Sequence, residues 1–188
     1  MGEIEEKGQA LRSTLTAIRE ELGEAIFDKM LAALPPGEFR DAATSGRVLA
    51  ASWYPIKHRR ELYVALSSVT QQRGLTRRIS KRATTDDMRG IYAFVIKLAS
   101  ASTLASVAPR VLATYFRGPS VSTVHLEPGH VRYQFKDFRG FDAALWEDMT
   151  SGIETILSLS GLERVMSEVE EADRGDGDSL ISIRWKSI

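Results

Sequence analysis

The sequence predicts an α+β domain in which N-terminal helices pack on one face of a four-stranded antiparallel sheet, with a long helix between the second and third strands. Three observations predict it. Apolar and polar residues alternate in four short stretches, all after residue 119, as in strands with one buried and one solvated face. Before that point the apolar residues recur three and four apart, the spacing of amphipathic helices. Between the second and third alternating stretches the helical spacing returns once, over 142–160. Residues 1–188 therefore read as a single domain, helical over 1–118 and strand-strand-helix-strand-strand over 119–188.

The first helix, Gln9–Leu22, carries Leu11, Leu15, Ile18 and Leu22 among charged residues, and Gly23 interrupts it. A second follows with Ile26, Phe27, Met30, Leu31 and Leu34 apolar, and Pro35-Pro36-Gly37 stops it. Residues 38–52 are small and mixed, with a short helix expected over Arg40–Ala51. After Trp53 and Tyr54, Pro55 suits a first helical turn, where its missing N–H costs nothing. Leu62, Val64, Ala65, Leu66 and Val69 then carry a helix to Arg73, and Gly74 ends it. Arg77, Arg78, Lys81 and Arg82 come next, and a helix gathers them on one side as an expected interaction surface. No nucleic-acid motif and no interleaved aromatic accompanies them, which favours a solvated or partner-facing helix over DNA or RNA binding. A further helix is marked by Met88, Ile91, Tyr92, Val95, Leu98 and Ala99 and ended by the Ser100–Thr103 run. The last carries Leu104, Val107, Val111, Leu112, Tyr115 and Phe116, bent or restarted at Pro109, and closes at Gly118-Pro119.

In the sheet part, Val124 and Leu126 alternate with Thr123 and His125, and Pro128-Gly129 turns the chain into Val131, Tyr133 and Phe135. Leu145, Trp146, Met149, Ile153, Ile156 and Leu157 mark the intervening helix, which Gly161 ends. Val165 and Val169, then Ile181, Ile183 and Trp185, complete a second hairpin around the 173–178 loop. One face of the sheet is apolar and must be covered; the other is polar.

With 43% apolar and 27% charged residues, a chain of 188 residues buries a true core without staples. No apolar run approaches a membrane span and the N-terminus is not a signal peptide, so a cytoplasmic protein is expected. Met1-Gly2 does not open a myristoylation signal, because Glu6 stands where Ser or Thr is needed. The absence of cysteine excludes disulfides, thiolate catalysis and thiolate metal sites. Net charge is zero but divided: residues 1–118 hold 18 basic and 12 acidic side chains (+6), and 119–188 hold 7 and 13 (−6).

Chemical motifs are sparse. His58, His125 and His130 fit no metal spacing. The last two would approach each other across the first hairpin, yet exposed hairpin histidines seldom hold an ion, and no metal is expected. His58, beside Lys57 and Arg59, reads as a surface residue. Counted from Asp173 as a calcium loop, the sixth and twelfth positions are Asp178 and Arg184, where glycine and glutamate are required. Glu168 and Glu170 are placed to oppose Arg184 and Lys186 across the second hairpin rather than to form a catalytic pair. No phosphate cradle, nucleophile elbow or Ser/His/Asp order occurs, so no catalytic residue is nominated and an enzyme is not expected.

The order of elements, with Val131-Arg132-Tyr133-Gln134-Phe135 leading into the Trp146–Leu159 helix, resembles one superfamily. It holds haem nitric-oxide/oxygen-binding sensor domains, 4-vinyl-reductase-type domains and small TRAPP-complex subunits. Lys7-Gly8, the Leu11–Leu22 helix, Gly23 and the Ala25–Leu34 helix are similar to the opening of the haem sensors. Gly8, Gly23, Ser52-Trp53-Tyr54-Pro55 and the Pro109 segment look like a paralogous domain family of unknown function found in myxobacteria. The haem sensors imply an iron-ligating histidine on a helix upstream of the first hairpin, and a Tyr-x-Ser-x-Arg motif for the propionates. Here no histidine lies between His58 and His125, and the matching strand reads Tyr133-Gln134-Phe135-Lys136-Asp137. The resemblance therefore implies the fold without haem or another cofactor. Its leading functional reading is a non-catalytic protein-interaction or regulatory module that binds a protein partner or forms a homodimer. The alternative is a sensor whose space between helices and sheet, bordered by Trp53, Tyr54, Tyr92, Tyr115 and Phe116, holds a small apolar or lipid-like ligand.

Overall fold

The computed structural model describes residues 3–89, 96, 99–171 and 177–186. Over them the chain runs β1 (Glu5–Lys7), α1 (Gly8–Leu22), α2 (Glu24–Ala33), α3 (Glu38–Thr44), β2 (Trp53–Pro55), α4 (Lys57–Thr70), α5 (Leu75–Asp87) and α6 (Ala101–Tyr115). It continues through β3 (Phe116–Arg117), β4 (Ser120–Glu127), β5 (His130–Lys136), α7 (Ala143–Leu159), β6 (Glu163–Glu171) and β7 (Ser179–Lys186). Tyr92, most of the expected Met88–Ala99 helix and most of the 173–178 loop lie outside the described residues.

The four alternating stretches form one antiparallel sheet in the order β4-β5-β7-β6. Its central strands bury Val131, Tyr133, Phe135, Ile181, Ile183 and Trp185 beneath α7, where Trp146 meets Phe135 edge-on with ring centroids 5.5 Å apart. Val124 and Leu126, expected on this face, are instead 53% and 39% exposed. A bulge between Thr123 and His125 breaks the alternation of this edge strand and turns Val124 out, while Leu126 sits uncovered at the sheet margin. On the polar face Glu168 meets Arg184 at 3.6 Å, as expected. Glu170 does not oppose Lys186; it reaches past β7 to Arg132 of β5, whose Nε donates at 3.0 Å.

A second, three-stranded sheet in the order β2-β1-β3 was not anticipated. Pro55 ends edge strand β2 instead of opening a helix, a place where a missing N–H is tolerated, and α4 starts at Lys57. The short helix α3 stops at Thr44, well before Ala51. Ser100 opens a helix rather than closing one: its Oγ accepts from the Thr103 N–H at 3.1 Å. From there α6 runs unbroken through Pro109. Proline has no N–H to offer the carbonyl four residues back, that of Ala105. The Tyr133 hydroxyl donates to that carbonyl at 2.7 Å, with both residues fully buried.

Candidate functional site

A cavity of about 120 Å³ lies between the helices, bounded by α1, the start of α4, α5, the end of α6 and one side of α7. Its apolar wall is built from Val111, Leu112, Tyr115 and Phe116 on one side and Leu145, Met149, Ile153 and Ile156 on the other. None of its lining residues among those described belongs to the large sheet, because α7 stands between the sheet and the cavity. The expected space between helices and sheet is filled by α7 itself, whose Trp146, Ile153 and Leu157 are all buried.

The polar end of the cavity rests on Arg59, which is 7% exposed. Its Nε donates to Glu6 Oε2 at 2.7 Å, and its Nη1 donates to Thr14 Oγ1 at 2.8 Å and Asp148 Oδ2 at 2.9 Å. Glu6 comes from β1 and is wholly buried; its Oε1 has no hydrogen-bond partner among the described residues. Two carboxylates sharing one guanidinium leave an excess negative charge in a largely buried site. Burial accordingly pushes the Glu6 carboxyl up to about 7, against the pull of Arg59 and with help from Asp148. Burial opposes the charge of Arg59 as well, but Glu6 and Asp148 hold it protonated beyond its usual range. Ser80 and Thr84 of α5 add hydroxyls to this end of the lining, and Ser80 Oγ donates to the Asp148 carbonyl at 2.8 Å.

Of the residues expected around a ligand, Tyr115 and Phe116 line the cavity. Trp53 and Tyr54 do not. Trp53 in β2 is held between the Lys7 ammonium, 4.5 Å from its ring, and the Arg117 guanidinium, 4.0 Å away. Tyr54 accepts a hydrogen bond from the Leu49 N–H at 2.9 Å and meets Phe39 edge-on. Both serve the small sheet and its surroundings. The basic side of α5 is largely neutralised, since α5 packs between α1 and α7. Arg77 pairs with Glu154 at 2.6 Å, Arg78 with Glu21 at 3.2 Å and Arg82 with Glu20 at 2.6 Å, while Lys81 is exposed. His58 is not a simple surface residue: it stacks on Phe39 at 4.4 Å and meets Glu61 at 3.0 Å.

The residues of the polar end escaped the sequence reading, though two left a trace. Thr14 and Asp148 interrupt the apolar stripes of their helices, Thr14 between Leu11 and Ile18 and Asp148 between Leu145 and Met149. Such an interruption marks a side chain that needs a buried partner.

No family model matches this sequence, and no curated protein does. Among solved structures, the oxygen complex of an oxygen-binding H-NOX domain related to soluble guanylate cyclases superposes with a TM-score of 0.70 at 13% identity, over 96% of this chain and 95% of that one. Its fold is H-NOX-like. The Fe(II) unliganded H-NOX protein from K. algicida gives 0.71 at 11% identity over 97% of both chains. Cs H-NOX carrying 4-cyano-L-phenylalanine gives 0.73 at 14% identity over 96% and 97%. At these identities the likeness extends to the fold and no further.

An iron porphyrin does not fit the residues of the interhelical cavity. Ligands of drug size and above occupy pockets of roughly 300–1,000 Å³, and the interhelical cavity offers about 120 Å³. Among the described residues the lining holds no histidine, and its sulfur atoms are the thioethers of Met88 and Met149, which serve haem iron beside a histidine. Tyr133, the one residue retained from the propionate motif, is engaged by the Ala105 carbonyl.

Proposed function

We propose that this H-NOX-like domain is a non-enzymatic sensor of a small, mostly apolar molecule bound without haem in the interhelical cavity. The observation that carries this reading is the pairing, in one half-open space, of an apolar wall with a charged polar end built on Arg59 and Asp148. A ligand would place its apolar body against Leu112, Phe116 and Ile153 and a hydrogen-bonding end toward Asp148 and Arg59. The cavity approaches the roughly 150 Å³ of an engineered apolar cavity that binds benzene, so a compact organic molecule suits it better than an acyl lipid. Binding would be felt at Arg59, which links β1, α1, α4 and α7 through its four hydrogen bonds and ion pairs. No helix among the described residues is long and apolar enough to cross a membrane, which accords with a cytoplasmic sensor.

Native mass spectrometry of the purified protein tests the reading, together with thermal shift against a panel of small aromatic and short-chain ligands. A retained adduct or a ligand-dependent rise in Tm, removed by the cavity-filling Leu112→Trp, is expected. A second reading, an interaction module that dimerises or binds a protein, is favoured by the exposed Val124 and Leu126 on one sheet edge and Met166 on the other. A clean dimer with neither adduct nor thermal shift would replace the sensor by that module. A Soret band in the purified protein would overturn the haem-free assignment.

A further inference from the structure

The β4–β5 hairpin brings together three side chains that the cavity does not use. Glu127 and His130 face each other across the Pro128-Gly129 turn, and His125, two residues before Glu127 on the same strand, shares its face. His125 Nε2 and His130 Nδ1 each lie 3.4 Å from Glu127 Oε1, and the ligand-type atoms of all three residues fall within 4.8 Å of one another. Contacts of 3.4 Å are longer than an N–H···O hydrogen bond ordinarily runs. They match the edge of a coordination tetrahedron, since metal–nitrogen and metal–oxygen bonds of about 2.0–2.1 Å separate neighbouring ligand atoms by about 3.3 Å.

A buried hydroxyl orients one of the imidazoles. Ser182 Oγ lies 2.8 Å from His130 Nε2, and Ser182 is 1% exposed. A polar partner on the second ring nitrogen is the supporting contact that orients metal-binding histidines, and here it turns Nδ1 toward Glu127.

We propose that His125, Glu127 and His130 form a binding site for one divalent first-row transition-metal ion, with zinc the best match. Two imidazoles and one carboxylate suit Zn²⁺, Ni²⁺ or Cu²⁺ far better than the hard ions Ca²⁺ and Mg²⁺. Three protein ligands leave a fourth position for water or for a donor atom from a binding partner. Side-chain exposures of 42% for His125 and 55% for Glu127 leave that position open to solvent. The expectation of no metal, drawn from histidine spacing, did not include Glu127.

Tag-free protein is stripped with chelator and titrated with Zn²⁺, by calorimetry and by competition with a chromogenic chelator. One ion per chain is expected. His125→Ala and His130→Ala should each abolish stoichiometric binding, Ser182→Ala should weaken it by about 10- to 100-fold, and His58→Ala should leave it unchanged. Circular dichroism of each variant verifies that the fold is retained, and His125 on the exposed edge strand is the substitution least able to disturb it. Absence of one-to-one binding by the wild type, or binding that survives His125→Ala, overturns the site.

Discussion

Ala105, Pro109 and Tyr133 form a unit whose members depend on one another. Pro109 leaves the Ala105 carbonyl without its helical donor, and the Tyr133 hydroxyl supplies one from the sheet. Removing only the hydroxyl leaves a buried carbonyl unsatisfied, so Tyr133→Phe should lower stability by about 1–3 kcal/mol, measured by urea unfolding. Restoring a backbone N–H with Pro109→Ala should recover part of that loss, and a double-mutant cycle would expose the coupling. Additive effects of the two substitutions would show that the carbonyl is not what connects them. The tyrosine was visible in the sequence as the remnant of a ligand motif. Its actual partner was indicated by a proline, through the carbonyl four residues before it, and reading that signal required knowing which strand lies beneath α6.

At the scale of elements, legibility followed length. The amphipathic helices and the four alternating strands carry enough residues for a period to show, whereas strands β1, β2 and β3 hold three, three and two. No alternation can register in so few. The cost of the small sheet appears instead at Gly8, where a Cβ would stand 2.1 Å from the Leu49 carbonyl oxygen and 2.7 Å from the Tyr54 ring. Gly8→Ala should therefore destabilise the protein by about 1–3 kcal/mol through overpacking, read as a fall in Tm. An unchanged Tm would mean that the Leu49 loop yields freely. The basic face of α5 illustrates the converse: its arginines were plain in the sequence, but the acids that neutralise them lie on α1 and α7, and no local pattern reports a neighbour so distant along the chain.

At the scale of the molecule, the fold class was legible because four half-buried strands and a covering helix admit few arrangements. The cavity was not, since it depends on where five helices stop short of touching. The split of charge between the two parts of the chain serves partly as internal adhesion: Arg59–Asp148 and Arg77–Glu154 both join the helical part to α7. The same cluster makes stability depend on pH. Folding raises the Glu6 carboxyl from 4.5 to about 7. Its stabilising contribution is therefore complete below the unfolded value and is lost as pH rises through the folded one. Tm should decline from pH 5 to pH 8 in the wild type, and Glu6→Gln, neutral throughout, should flatten that slope; a Gln variant with the same slope would place the titration elsewhere. Glu6 can enter this site only when β1 is paired, and β1 pairs with both residues 53–55 and residues 116–117. During synthesis the strand nearest the N-terminus is thus made early and completed last, after the intervening helices have emerged. Such long-range closure slows folding relative to local helix formation. The clasp, the burial of Glu6 and the seating of Phe116 against the cavity should then arrive together, as the closing event in the assembly of the helical part.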